Sequence, residues 1–202
     1  AFSGIKELTV TQKDGTKSVL AAESIIIAAG SESARPPIPG LDGKNVITST
    51  EALNVESLPK SLAIIGGGVI GMEIGSTYAK FGVEVTVLEA LPHIVPSIDT
   101  DVREVLLHTS EKIMTIETGA MVKEIQDADN QKKVVYETKG ERRECCAEKV
   151  MVCVGRCPNT KKLGLETAGI QVNKRGYIQV NSHYVTTAPG VYAIGDVNGQ
   201  VL

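Results

Sequence analysis

Apolar and polar positions alternate from Ile5 to Thr11, break at Lys13-Asp14-Gly15-Thr16 and resume from Ser18 to Ala22, which predicts a β-hairpin. The rhythm then changes. Ile25-Ile26-Ile27 opens a continuous apolar run that ends on the small residues Ala28-Ala29-Gly30-Ser31, the pattern of a strand buried on both faces. Leu62 to Ile65 and Val150 to Val154 repeat that pattern, and Val83, Val85, Val87 and Leu88 make a further strand. Between the first and last of these, Val69, Ile70, Met72, Ile74, Tyr78 and Phe81 recur at helical spacing, and Gly82 is placed to stop the helix with a positive φ. A second helix is expected from Asp99-Thr100-Asp101 through Val102, Val105, Leu106 and Ile113, its acidic start suited to the helix dipole.

Thr118 to Ile125, Lys132 to Tyr136 and Arg142 to Cys146 read as an antiparallel meander with turns at Asp127-Ala128-Asp129-Asn130 and Lys139-Gly140. Further on, Asn173-Lys174-Arg175-Gly176 predicts a polar hairpin leading into a strand from Tyr177 to Val180, and a last strand runs from Val191 to Asp196, ending in Gly-Asp. Arg35-Pro36-Pro37-Ile38-Pro39-Gly40 is a stiff, non-helical linker, and Ser49 to Leu53 is a short helical turn before Pro59. The expected fold is α/β: a Rossmann-like parallel sheet with helices on one face and a β-meander on the other. Residues 60–158 form that domain, and 1–59 and 159–202 are pieces of a second, similar one.

Composition narrows the function classes. The chain has 202 residues, 42% hydrophobic and 22% charged, with a formal net charge of −3 and no long basic run. Nucleic-acid binding therefore has no electrostatic footprint. No apolar stretch approaches the length of a membrane span, and Ala1-Phe2-Ser3-Gly4 starts no recognisable signal peptide. A cytoplasmic or mitochondrial-matrix setting is the expectation. Of the four cysteines, Cys145 and Cys146 are adjacent in a charged stretch, Cys153 lies inside an apolar run and Cys157 follows a glycine turn. None has the CxxC spacing of a metal or thioredoxin site. Cys153 reads as a small buried hydrophobe, and a vicinal Cys145–Cys146 disulfide would be strained.

The chemistry concentrates in LAIIGGGVIGMEIGSTYAKFGVEVTVLEA, residues 62–90. Gly66 permits a tight turn after the strand, Gly68 lets backbone approach a pyrophosphate, and Gly71 lets the helix pack closely on the sheet. The helix N-terminus offers unpaired N–H groups and the positive end of its dipole to phosphates. Glu89, about 20 residues on, stands where a carboxylate accepts the hydroxyls of an adenosine ribose. A 2′-phosphate would meet that negative charge, and no Arg or Lys follows in Ala90-Leu91-Pro92-His93 to receive it, so NAD is favoured over NADP. His93 reads as a surface group. Glu73 has two open readings: a first-turn carboxylate stabilised by the helix dipole, or an acceptor for the nicotinamide carboxamide. Asp196, at the end of the last strand, is either a solvated strand-end group or a ligand contact.

The segments IIIAAGS, GGGVIGMEIGS, the strand ending at Glu89, VCVGRCPNT, LGLETAGI and YAIGD, in this order and spacing, resemble the FAD-dependent pyridine nucleotide–disulfide oxidoreductases throughout the chain. Within that family GVIGMEIGSTYAKFGVEVTVLE is most similar to the dihydrolipoamide dehydrogenase branch. The resemblance implies that Gly66, Gly67, Gly68, Val69, Ile70, Gly71, Met72 and Glu73 hold NAD, and that Glu89 holds its adenosine ribose. Val122 and Gly155 would contact the adenine and the nicotinamide side. Ala29, Gly30 and Ser31 would lie against FAD, with Asp196 on the ribityl chain.

It further implies oxidation of dihydrolipoamide through a redox disulfide and FAD, a homodimeric parent, and membership of a 2-oxo acid dehydrogenase complex. The family's own opening GxGxxG, its CxxxxC disulfide and its His-Glu acid/base pair do not occur in these 202 residues. Cys157 stands where the family often has Arg. The expectation is an internal piece with an incomplete FAD site and no lipoamide turnover of its own. Mercuric-reductase-like and NADH-oxidase-like enzymes, and a non-catalytic NAD-binding module, are the alternatives; a glutathione-reductase-like enzyme, which usually takes NADP, is opposed by Glu89.

Overall fold

The first alternating segment folds as an antiparallel sheet of β1 (Phe2–Gly4), β2 (Glu7–Thr11) and β3 (Lys17–Ala21), with Leu8 facing Leu20 and Thr9 facing Val19. Gly15 takes φ 86° in its turn and Asp14 accepts from the Thr16 N–H at 2.9 Å. The apolar run that follows is not one strand. It divides into β4 (Ile25–Ile27) and β5 (Ser31–Ser33), because Gly30 at φ 68° bends the chain between them. The computed structural model describes residues 1–200, arranged in two compact units: Ala1–Glu32 with the segment from Arg156 onward, and Ser33–Gly155.

The second unit is a five-stranded parallel sheet ordered β6-β13-β7-β8-β9, comprising β6 (Val46–Thr48), β7 (Ser61–Ile65), β8 (Glu84–Glu89), β9 (Thr115–Thr118) and β13 (Lys149–Val152). Helix α1 (Ser49–Ala52) follows β6, capped reciprocally by Thr48 and Glu51. Helices α2 (Val69–Lys80) and α3 (Thr100–Ser110) are the crossovers from β7 to β8 and from β8 to β9. The meander β10 (Met121–Ala128), β11 (Gln131–Thr138) and β12 (Glu141–Ala147) precedes β13.

Strand alternation sorts the core into two layers. Leu62, Ile64, Val85, Val87 and Met151 pack on the helix side with Met72, Ile74 and Tyr78 of α2. Ala63, Ile65, Leu88, Val150 and Val152 pack on the meander side with Val122, Ile125, Val134 and Tyr136. Each large side chain fully buried in these layers is worth about 1.5–3 kcal/mol of transfer free energy. The expected architecture, with helices on one face and a meander on the other, is the one observed.

Local differences have identifiable causes. Val69 and Phe81 mark the two ends of α2 and are 47% and 67% exposed, beyond the reach of the sheet. In α3 the partly buried Leu106 and Leu107 meet the core while Val102 and Val105 face solvent, and the helix ends at Ser110, which leaves Ile113 beyond it. Thr118 does not begin the meander. It ends β9 in the parallel sheet, and the chain turns at Gly119 (φ 65°) before β10. Strands β6 and β9 are the edges of the sheet, too short to show a pattern in sequence.

In the first unit the returning chain adds β14 (Arg156–Pro158), paired with β5, and β15 (Val191–Ala193), parallel to β4. Ile25, Ile27, Leu165, Ile178 and Val191 fill its core. Tyr177 to Val180 is not a strand. The Ile178 N–H donates to the Val197 carbonyl (3.0 Å), which leaves only an isolated bridge between Val172 and Ile178. No helix of the described residues is long and apolar enough to cross a membrane.

Candidate functional site

The glycine turn joins the end of β7 to the start of α2. Gly66 has φ 109°, a conformation that other residues rarely adopt, and a Cβ there would lie 2.6 Å from the Cys153 carbonyl oxygen. Gly71 has a different constraint: a Cβ on it would overlap the Gly66 carbonyl and sit 3.0 Å from the Cys153 thiol. Gly68 is the open one, since nothing lies within 4 Å of where its Cβ would be. It is the N-cap of α2, and no side chain caps the helix there. The first-turn N–H groups, those of Val69, Ile70 and Gly71 among them, therefore lack helical partners beside an open backbone position.

Glu89 closes this site from the end of β8. Its side chain is buried (8% exposed); Oε2 accepts from the Gly67 N–H at 2.5 Å and Oε1 from the Leu91 N–H at 2.7 Å. The carboxylate thus ties the two βα and βα-like turns together while keeping lone pairs for further donors, since an ionised carboxylate accepts about four. Met72 is buried against the sheet and contributes packing. Glu73 is exposed and is the fifth residue of α2, past the first turn in which the helix dipole acts, so the dipole does not stabilise it. Val122 is buried at a register shift in β10, two residues after Ala120, whose N–H donates to the Glu89 carbonyl at 2.8 Å. Gly155, at φ 123° with open space at its Cβ position, ends the run that leaves β13. His93 is exposed.

The first unit gathers a separate set of polar groups. Ser31 Oγ donates to Asp196 Oδ2 (2.5 Å) and accepts from Arg156 Nε (2.6 Å), while Arg156 Nη2 donates to the Ser31 carbonyl (2.7 Å). Arg156 Nε stands 3.5 Å from Asp196 Oδ2, completing a triangle of charge and hydroxyl. Asn159 fixes the backbone beside it: its N–H donates to the Gly30 carbonyl (3.0 Å) and its side-chain amide to that of Ala29 (2.9 Å). Gly30 has open space at its Cβ position.

A family profile described as pyridine nucleotide-disulphide oxidoreductase matches residues 2–202. The chain belongs to this family. A dihydrolipoyl dehydrogenase of Thermus scotoductus is 41% identical to it over 201 residues, which is 97% of this chain and 42% of that protein. One of Staphylococcus aureus is 43% identical over 178 residues, 87% of this chain and 37% of the relative. Among solved structures, the Cu(II) complex of the HOCl-induced flavoprotein disulfide reductase RclA from Escherichia coli superposes with a TM-score of 0.90 at 35% identity, over 99% of this chain and 45% of that one. LpdA from Mycobacterium tuberculosis gives 0.86 at 29% identity, over 98% and 43%. This chain therefore spans under half the length of each of these proteins.

In this pyridine nucleotide-disulphide oxidoreductase chain, the thiols divide by environment. Burial pushes the Cys153 thiol up to about 12, with the Glu89 carboxylate adding to the rise, and it donates to the carbonyls of Gly66 (3.3 Å) and Ile65 (3.5 Å). Burial likewise raises Cys145 to about 11, with Cys146 contributing. Cys145 and Cys146 are free thiols on opposite faces of β12, the first half-buried and the second exposed, and Cys157 is exposed. A thiol reagent at pH 8 should modify the exposed Cys146 and Cys157 quickly, and the partly buried Cys145 and Cys153, held as thiols, far more slowly. Peptide mapping after a short pulse checks this; rapid labelling of Cys153 would contradict its placement. Among the described residues no group of three or more His, Cys, Asp or Glu side chains is arranged to hold a metal ion.

Arg156 and Asn159 are the residues that sequence reading passed over. Both lie in VGRCPNT, where a cation and an amide directly after a buried strand and its glycine were the available signal. Nothing in their spacing announced that the partners lie 125 and 130 residues earlier.

Proposed function

We propose that this chain supplies the NAD grip of a flavoprotein disulfide oxidoreductase whose whole-protein reaction is the oxidation of dihydrolipoamide. The observation that carries the nucleotide reading is the buried Glu89 carboxylate hydrogen-bonded to Gly67 beside the uncapped N-terminus of α2. A dinucleotide pyrophosphate fits the open Gly68 edge and the unpaired N–H groups of the first turn, and an adenosine ribose fits the remaining lone pairs of Glu89. A 2′-phosphate would press a dianion against that carboxylate, with no Arg or Lys in the Ala90–His93 segment that follows it. Gly155 and Glu73 are proposed for the nicotinamide side, and Val122, through its backbone, for the adenine side.

Similarity to dihydrolipoyl dehydrogenases supports the substrate. In that reaction a dithiol loses two electrons and two protons to become a disulfide, NAD+ gains a hydride, and one proton goes to solvent. FAD, when bound, relays the electron pair between the thiols and the nicotinamide. This chain's part in holding it falls to Ser31 and Asp196, which have hydroxyl and carboxylate oxygens suited to ribityl hydroxyls, and to the backbone of Ala29 and Gly30. Arg156 orients both side chains, through its Nε bond to Ser31 Oγ and its charge beside Asp196.

The discriminating experiment is calorimetric titration of the chain with NADH and with NADPH, alongside an absorbance scan of the purified protein for flavin. NADH is expected to bind at least about tenfold more tightly, a difference of about 1.4 kcal/mol. Equal affinities would remove Glu89 as the selector. Flavin retained by the chain would exclude a plain nucleotide-binding module, whereas its absence follows equally from an FAD site that is incomplete in these residues.

A further inference from the structure

The loop after β8 holds the glycine turn from the side opposite the helix. Both polar groups of the Gly67 peptide segment are engaged: its N–H donates to Glu89 Oε2 at 2.5 Å, and its carbonyl accepts from the Val95 N–H at 2.9 Å. Ile94 is fully buried, and its Cγ2 methyl would be 3.0 Å from a Cβ on Gly67, so it rests on the bare Cα. Val95 is buried too, yet has φ 37°, a left-handed conformation that a β-branched residue adopts only when its surroundings impose it. Its carbonyl accepts from the Ile98 N–H at 3.0 Å, which closes the loop on itself. Strain of this kind is retained where an N–H must be aimed in one direction.

We propose that Ile94 and Val95 are positioning residues for the dinucleotide. They hold the Gly67 peptide with its polar groups turned into the protein, which leaves the next peptides, at Gly68 and the first turn of α2, facing the ligand. The inference rests on the dinucleotide reading of this turn and adds two residues that touch neither cofactor nor substrate. Preorganisation of this sort acts on affinity by removing the cost of ordering the loop when ligand arrives.

The geometry supplies a clean test, because Ile94 meets Gly67 through one methyl group, the rest of the contact being made by Cβ and Cγ of Glu89. Ile94→Val keeps Cγ2 and removes only Cδ1. Ile94→Leu conserves volume, which cores tolerate best, but moves the branch away from Cβ and so takes the methyl off Gly67. Fluorescence titration with NADH at one temperature, on the full 202-residue chain, should leave Ile94→Val within about twofold of wild type and weaken Ile94→Leu about tenfold. Thermal melts of the same samples should rank the two variants together or place the valine lower, opposite to the order of affinities. Affinities that follow the melting temperatures, or that are equal in the two variants, overturn the proposal while leaving the nucleotide reading intact. Failure of wild type to bind NADH would overturn that reading and this inference with it.

Discussion

Gly71→Ala is expected to lower the stability of the unit formed by Ser33–Gly155 by about 1–3 kcal/mol, the usual cost of forcing extra volume into a packed contact. The sign is what makes it informative. In an open helix the same change stabilises by about 1 kcal/mol, because alanine surrenders less backbone freedom. Here the added Cβ would overlap the Gly66 carbonyl, a main-chain atom that cannot rotate away, so α2 must move off the turn. That shift takes the first-turn N–H groups out of their preorganised position, and NADH affinity should fall at least about tenfold.

Gly68→Ala is the control. Gly68 has φ −72° and ψ −177°, which alanine adopts freely, and nothing stands within 4 Å of its Cβ position. Its melting temperature should hardly change, while NADH affinity drops at least about tenfold, because the methyl occupies the edge where a pyrophosphate approaches. Melts and NADH titrations on both variants give a two-by-two outcome. If Gly68→Ala were the less stable protein, or bound NADH as wild type does, the assignment of the open edge to ligand would be wrong.

Glu89→Ala carries the second large effect. A residue that only selected between nucleotides would lose selectivity and leave the fold alone. Glu89 also accepts from the N–H groups of Gly67 and Leu91 in a buried position, and alanine leaves both without their partner. The orphaned buried Gly67 donor costs about 1–3 kcal/mol, while the part-buried Leu91 N–H can turn to water, so a loss of about 1–3 kcal/mol is expected. NADH binding should disappear along with the NADH preference. Glu89→Gln preserves the shape and one acceptor oxygen but turns an NH2 group toward a backbone N–H, so it should recover packing without recovering the turn. Urea unfolding followed by circular dichroism, paired with NADH and NADPH titrations, measures both consequences. An alanine variant as stable as wild type would show that the carboxylate does not hold the turn.

Much of this was legible in the chain because strand and helix periods are local. Leu62 to Ile65, the glycine turn, the buried stripe of Met72, Ile74 and Tyr78, and Glu89 at the end of β8 all follow from residues within one βαβ unit. The meander was equally readable, since Lys139-Gly140 and Asp129-Asn130 carry their turn signals with them. Exposure at the ends of an element was not. Val69, Phe81, Val102 and Val105 satisfy a helical pattern, but which of them meets the sheet depends on where α2 and α3 lie over it. Strands β6 and β9, three and four residues long, exist because neighbours offer them a ladder.

The sequence by itself determined the βαβ unit with its glycine turn, its acidic terminus and the family, because tight turns, buried strands and close helix packing each demand particular residues at short fixed intervals. Only the tertiary structure decided what else those residues do. It placed Arg156 on Ser31 and Asp196, committed Glu89 to two backbone donors, and set Ile94 and Val95 against Gly67. Those relations join segments whose spacing along the chain follows no period, so they arise from how the elements pack and leave no mark in the local pattern.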